Sequence, residues 1–254
     1  LSAVAVAAIA LGLILLSIIL GMLLRSWLPE ADLGGDSKEV IRLATALIGT
    51  MSAVVLALLF ASTRTSYETT NASVSQLTAR LVELDHVLKE YGPEGAALRA
   101  TLRQDVAAMV DSIWSEDANL LNPSTATARE APEVAVLRKV RQLAPANPQQ
   151  ASLQMSGLAA GTDVEKIRLT LLAQPPDSIS KPFVTVLVLW LCFIFASFSM
   201  SAKANTTLIT VLFVCAFSAS SAIYLILELG QPFDGLMQIP NSALRHALPP
   251  LSGT

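Results

Sequence analysis

Glu83, His86 and Glu90 recur at steps of three and four, so a helix through them carries two carboxylates and an imidazole on one face. Such a trio could hold a divalent metal. It falls, however, on the polar side of an amphipathic repeat, where it reads as a solvated face, and His246 is the only other histidine. There is no HExxH, no GxSxG, no phosphate-cradling glycine loop and no CxxC pair. Cys192 and Cys215 both sit in long apolar runs, where thiols act as small packing groups. We assign no catalytic, cofactor-binding or metal-ligating residue, and expect a protein that is not an enzyme and carries no cofactor.

Glu228 differs from the other acids because it interrupts an apolar run near its C-terminal end. The macrodipole is negative there, so a carboxylate requires a nearby cation. Lys181 or Arg64 is the expected partner of this membrane-embedded acid. The alternative is that Glu228 lines a polar path, the usual significance of an acid within a membrane span.

The elements that position these residues are four apolar stretches. Residues 1–24 and 41–61 form one pair and 182–200 and 206–227 another, each long enough to cross a bilayer as helix. The first reads as a true span, being longer than a cleavable signal's apolar core and lacking a small-x-small site before Arg25. Hydrophobic residues make up 53% of the chain and charged residues 15%, well under the ~25% of soluble domains. A net charge of −3 leaves no basic footprint for nucleic acid. Membrane lipid is the expected surrounding, and the fold class is an all-α, four-span membrane protein in a 2+2 arrangement.

Four spans put both termini and the block between spans two and three on one side. Arg64, Arg80, Arg168, Lys181 and Arg245 flank that side, against Arg25, Lys38, Arg42 and Lys203 opposite. The excess of basic residues favours a cytoplasmic block in a bacterial inner membrane.

The organisation that follows is a helix pair at 1–61, an extramembrane helical domain at 62–181, a second pair at 182–229 and an interfacial tail at 230–254. Asp36 and Glu39 have the spacing of a capping box that starts the second span. On that span Gly49, Ala53, Ala57 and Ala61 recur every four residues, leaving a face bare of bulk for helix packing. No Pro or Gly interrupts residues 50–91, so the span continues into water as one rod of about 60 Å. There Val74, Leu77, Leu81, Leu84, Leu88 and Tyr91 alternate steps of three and four, a coiled-coil seam through which copies of the chain would join as a homo-oligomer.

Gly92-Pro93 breaks the rod, and Leu98, Leu102, Val106, Met109 and Ile113 mark a second amphipathic helix, so residues 64–118 read as a hairpin. Residues 119–132 read as a loop, and helices are expected at 133–143 and 149–173. Ser197, Ser199, Ser218, Ser220 and Ser221 either line a narrow wet path or bond to helix backbones, the commoner use. Past Leu229, Phe233, Leu236, Met237 and Ile239 suit a segment lying in the membrane interface, as a lip against a neighbouring subunit or as a loosely bound tail.

Residues 181–248 resemble the C-terminal half of the bacterial DUF4239 family, described as bestrophin-like. The resemblance rests on Pro182-Phe183, Leu189-Trp190, the run Phe195-Ala196-Ser197-Phe198, Asn205, the run Leu225 to Leu229 with Glu228, and Pro232-Phe233 with Gly235. Residues 64–111 are similar to that family's middle helix pair. The chain departs at Gly230 and Gln231, where the resemblance implies an acidic and a basic residue. The label implies an analogy with bestrophins, which are oligomeric anion channels; no acidic cluster resembles the calcium clasp of the animal proteins. Two readings follow: an oligomeric ion channel or transport protein, or a membrane-anchored scaffold whose helical domain binds a partner.

Overall fold

The computed structural model describes residues 2–27, 35–114, 135–173, 181–201 and 205–248. Regular structure among them is helical: α1 (Ala3–Trp27), α2 (Gly35–Tyr91), α3 (Pro93–Trp114), α4 (Ala135–Arg141), α5 (Pro148–Ala173), α6 (Lys181–Ser201), α7 (Thr206–Leu229) and α8 (Ser242–Arg245). The loop expected at 119–132 lies outside the described residues. The chain divides into two compact units, Leu1–Ser66 with Asp177–Gln231, and Tyr67–Pro176 with Pro232–Thr254.

The first unit holds the apolar parts of α1, α2, α6 and α7, each long and apolar enough to cross a membrane. α6 begins at Lys181 with Pro182 in its first turn, where a missing amide leaves no hydrogen bond unmade. α1 and α6 approach closely at Gly21: a Cβ there would lie 2.6 Å from the Ala196 carbonyl oxygen and would collide with Ser199 Oγ. Around that crossing Ile14, Ile18, Phe195, Leu212 and Ala216 are buried together. A second cluster joins Ala10, Leu187, Val188 and Ile223, with Leu56 and Leu59 of α2 against it. Arg25 donates to the Met200 carbonyl at 2.7 Å, tying the last turns of α1 and α6.

The second unit is built on the seam. Val74, Leu77, Leu81, Leu84, Leu88 and Tyr91 are all buried, against Leu98, Leu102, Val106, Met109 and Ile113 of α3, Val136, Leu137 and Val140 of α4, and Val164 and Leu171 of α5. This corrects the expectation that the seam joins copies of the chain. A three-four stripe specifies one buried face without saying which helix covers it, and here helices of the same chain do. The reversal between α2 and α3 needs Gly92, whose φ of +110° is costly for any residue with a Cβ. Inside this core Asp85 accepts two bonds from Arg99, 2.9 Å to Nε and 2.8 Å to Nη2.

The tail also differs from expectation. Ile239 and Leu244 are fully buried in the second unit's core, and Trp114 Nε1 donates to the Ile239 carbonyl at 2.9 Å. Phe233 meets the Trp114 ring edge-on at 5.3 Å. Phe233 and Ile239 therefore face protein, while Leu236 and Met237 remain exposed.

Tyr91 is buried, yet its hydroxyl has no hydrogen-bond partner. Burial, helped by Glu94, pushes its ionisation above the ordinary range. Tyr91→Phe should therefore raise the melting temperature of the helical unit by a few degrees, since it removes a polar atom that folding strips of water. The linked stability is present below about pH 10 and is lost as pH rises through the folded value, because the unfolded tyrosine ionises first. Melting curves between pH 8 and 11 check both: the wild type should weaken at alkaline pH more than Tyr91→Phe, and equal slopes would remove Tyr91 as the cause.

Candidate functional site

Glu228 stands in the last turn of α7 and is 4% exposed, which makes it the most deeply buried acid among the described residues of the span unit. Tyr224 lies one turn earlier on the same side of α7. That position follows from helical spacing, since residues four apart stack on one face. The helix ends immediately after, with the Gly230 amide donating back to the Ile226 carbonyl at 3.1 Å. Of the two cations expected to pair with Glu228, Arg64 is exposed, and the Lys181 side chain lies outside the described residues.

Four of the five serines, all but the exposed Ser218, are committed to backbone. Ser197 donates to Phe193 O at 2.8 Å, Ser199 to Ala196 O at 2.9 Å and Ser221 to Phe217 O at 2.9 Å, each within its own helix. Ser220 reaches across to the Ala7 carbonyl of α1 at 2.9 Å. Hydroxyls bonded in this way hold helices together; they do not offer a row of free donors to a passing ion.

The small-residue face of α2 is largely exposed, with α6 and α7 bordering its Gly49 end. Gly49 is half-buried, Ala53, Ala57 and Ala61 are exposed, and a Cβ on Gly49 would meet nothing within 4 Å. α2 packs through Leu56 and Leu59, with Leu56 two turns from Gly49 on the same side of the helix. Only 11% of the apolar window of α2 is buried, against 28–33% for the other three spans, so α2 is the span with the most surface left for lipid or another helix. Gly49 and Ala53 border an apolar cleft of about 220 Å³ with Leu187, Leu191 and Ile194 of α6 and Ala219 of α7.

Elsewhere, Glu83 pairs with Arg80 at 2.7 Å and His86 Nε2 lies 3.1 Å from Glu90, all on the exposed side of α2. Pro182, Phe183 and Asn205 are exposed, Trp190 is half-buried, Pro232 and Phe233 begin the loop onto Trp114, and Gly235 takes a φ of +85° within it. The Asp85–Arg99 pair escaped the sequence reading. Its one signal was the place of Asp85 beside Leu84 in the seam, on the buried side of the repeat.

These features define a four-span helical membrane protein with a separate helical unit. The Bestrophin-like domain profile matches residues 11–244, and the chain belongs to the bestrophin-like family. No curated protein and no solved structure matches it.

Proposed function

We propose that the chain is one subunit of an oligomeric ion channel or transport protein of the bacterial inner membrane, without enzymatic activity and with its helical unit and both termini in the cytoplasm. The observation that carries the reading is the α2 span, whose apolar window is only 11% buried and whose small-residue stripe leaves Ala53, Ala57 and Ala61 exposed. Bilayer helices associate through such faces, because lipid gives apolar side chains no reason to cluster. The bestrophin-like family match supports the same reading.

Ile14, Ile18, Phe195 and Leu212 fill the space among α1, α6 and α7, so a polar path through the assembly runs between subunits and not through one of them. The scaffold alternative is favoured by that same dry packing. Reconstitution into liposomes with an ion-flux assay, after a mass measurement in detergent, separates the two. An oligomer that passes ions supports the channel; a monomer that passes none ends it.

Glu228 pairs with Lys181 or Arg64 and fixes the end of α7 in this reading. Glu228→Gln should cost about 1–2 kcal/mol of stability in detergent, because the group is buried yet close to the interface. Neutralising the correct cation should cost about as much. Undiminished stability together with reduced flux would instead put the carboxylate on the ion path, and no change in either would dismiss both roles.

A further inference from the structure

Gly49, Ser52, Ala53 and Leu56 fall on one face of α2 at steps of three and four, and all four line the cleft that α6 and α7 complete. Leu187, Leu191 and Ile194 of α6 make the rest of the wall mostly aliphatic, so Ser52 is the one polar side chain on it. Ser52 is 5% exposed, and its hydroxyl finds no hydrogen-bond partner among the described residues. Thr45, Thr50 and Thr63 on the same helix behave differently: each donates to a carbonyl about one turn back, at 2.7, 2.8 and 2.9 Å. With no such bond to hold it, the Ser52 hydroxyl turns about χ1 toward a molecule seated in the cleft. A Cβ on Gly49, one turn away, would meet nothing within 4 Å, so the space beside this serine is open.

The chemistry of the walls selects the occupant. A hydroxyl without a partner is costly in hydrocarbon, where no bulk water is at hand to bond it. A buried water is a poor match, because it needs roughly two to four polar neighbours and this wall offers one side chain. A plain acyl chain suits the aliphatic walls but leaves the hydroxyl unbonded. An apolar body carrying a single oxygen acceptor satisfies both. The size agrees, since an apolar cavity of roughly 150 Å³ takes a benzene ring and this cleft measures about 220 Å³. We infer that the cleft binds a bilayer-dissolved molecule of that class, a medium-chain or ring hydrocarbon with one hydroxyl or ketone oxygen, to which Ser52 donates. Every residue involved belongs to one chain's span unit, so the site depends neither on ion conduction nor on subunit assembly.

The test irradiates full-length protein in phosphatidylcholine–phosphatidylglycerol liposomes with a diazirine-bearing octanol and, in a parallel sample, with the same diazirine on octane. Adducts are mapped by peptide mass spectrometry. The alcohol should mark the peptides that hold Gly49 to Leu56 and Leu187 to Ile194, and Ser52→Ala should lower that yield about two- to tenfold, the worth of one hydrogen bond. The alkane's yield should be the same in both proteins. Ser52→Ala removes no hydrogen bond within the chain, so its melting temperature should match wild type, which separates lost labelling from lost fold. Gly49→Leu, whose side chain grows into open space, should block both probes. Alcohol labelling indifferent to Ser52→Ala would overturn the inference, and so would adducts spread evenly over exposed residues of α2 such as Val54 and Leu58. Labelling present in monomers and lost in oligomers would give the cleft to a second copy of the chain and overturn it as well. Because flux is not the readout, failure here leaves the channel reading intact, and a protein that passes no ions leaves the cleft site intact.

Discussion

Asp85→Ala should unfold the helical unit at much milder conditions than wild type, with a loss of about 3–5 kcal/mol. The side chains of Asp85 and Arg99 are 5% and 13% exposed, and two hydrogen bonds of 2.9 and 2.8 Å join them as a fork. Asp85 raises the ionisation of Arg99 further above its already high ordinary value, so the guanidinium stays charged whatever happens to its partner. Removing the carboxylate leaves that largely buried charge without its two hydrogen bonds. Arg103, 4.0 Å from the same carboxylate, loses its counter-charge too.

Denaturation followed by helical circular dichroism measures the loss, and two controls show its origin. Glu83→Ala breaks an ion pair whose side chains are 45% and 49% exposed and should cost under about 1 kcal/mol. The double replacement Asp85→Leu with Arg99→Met removes both charges at once and should recover most of the stability, since a buried pair costs more when halved than when exchanged for apolar groups. If the double variant is as unstable as Asp85→Ala, the side chains' shape and not their charge holds this corner.

Gly21→Val should disrupt the span unit, at a cost of about 2–3 kcal/mol or more. The added Cβ would meet the Ala196 carbonyl oxygen at 2.6 Å, and a backbone atom cannot rotate away as the Ser199 hydroxyl can. α1 and α6 must then separate, which opens the contact of Ile14 and Ile18 with Phe195. Gly12→Val on the same helix is the matched control. A Cβ there meets nothing within 4 Å, so the change should stay within about 0.5 kcal/mol. Thermal unfolding in detergent distinguishes them, and equal melting temperatures would mean that the close approach at Gly21 is not what holds the two helices together.

Much of the architecture was legible because its signals are local. Hydropathy over some twenty residues marks a span wherever it occurs, and the described spans run at Ala3–Trp27, Pro182–Ser201 and Thr206–Leu229, with the remaining one inside α2. The uninterrupted run to Tyr91 and the Gly92-Pro93 break gave α2 its length, and the Leu98–Ile113 stripe gave α3 its buried face. Glu228 was visible as a charge in an apolar run, and it is buried. The least legible features were pairings. Gly21 looks like any glycine in an apolar helix, while the four-residue stripe of α2 advertised close packing more loudly and leaves Ala53, Ala57 and Ala61 exposed.

The amino-acid order alone settled that this chain is helical, that four of its segments suit lipid, and that a polar helical block divides them. These are properties of single helices, written in the periodicity and polarity of contiguous residues. Only the tertiary structure decided that the Val74–Tyr91 seam is covered by α3, α4 and α5 of the same chain, that Asp85 meets Arg99, and that the tail divides between a buried anchor at Ile239 and an exposed tip at Leu236. An apolar stripe states that a face must be buried, and its free energy is nearly the same whichever apolar surface covers it. The identity of the partner is set by distances across the fold, which no local pattern encodes.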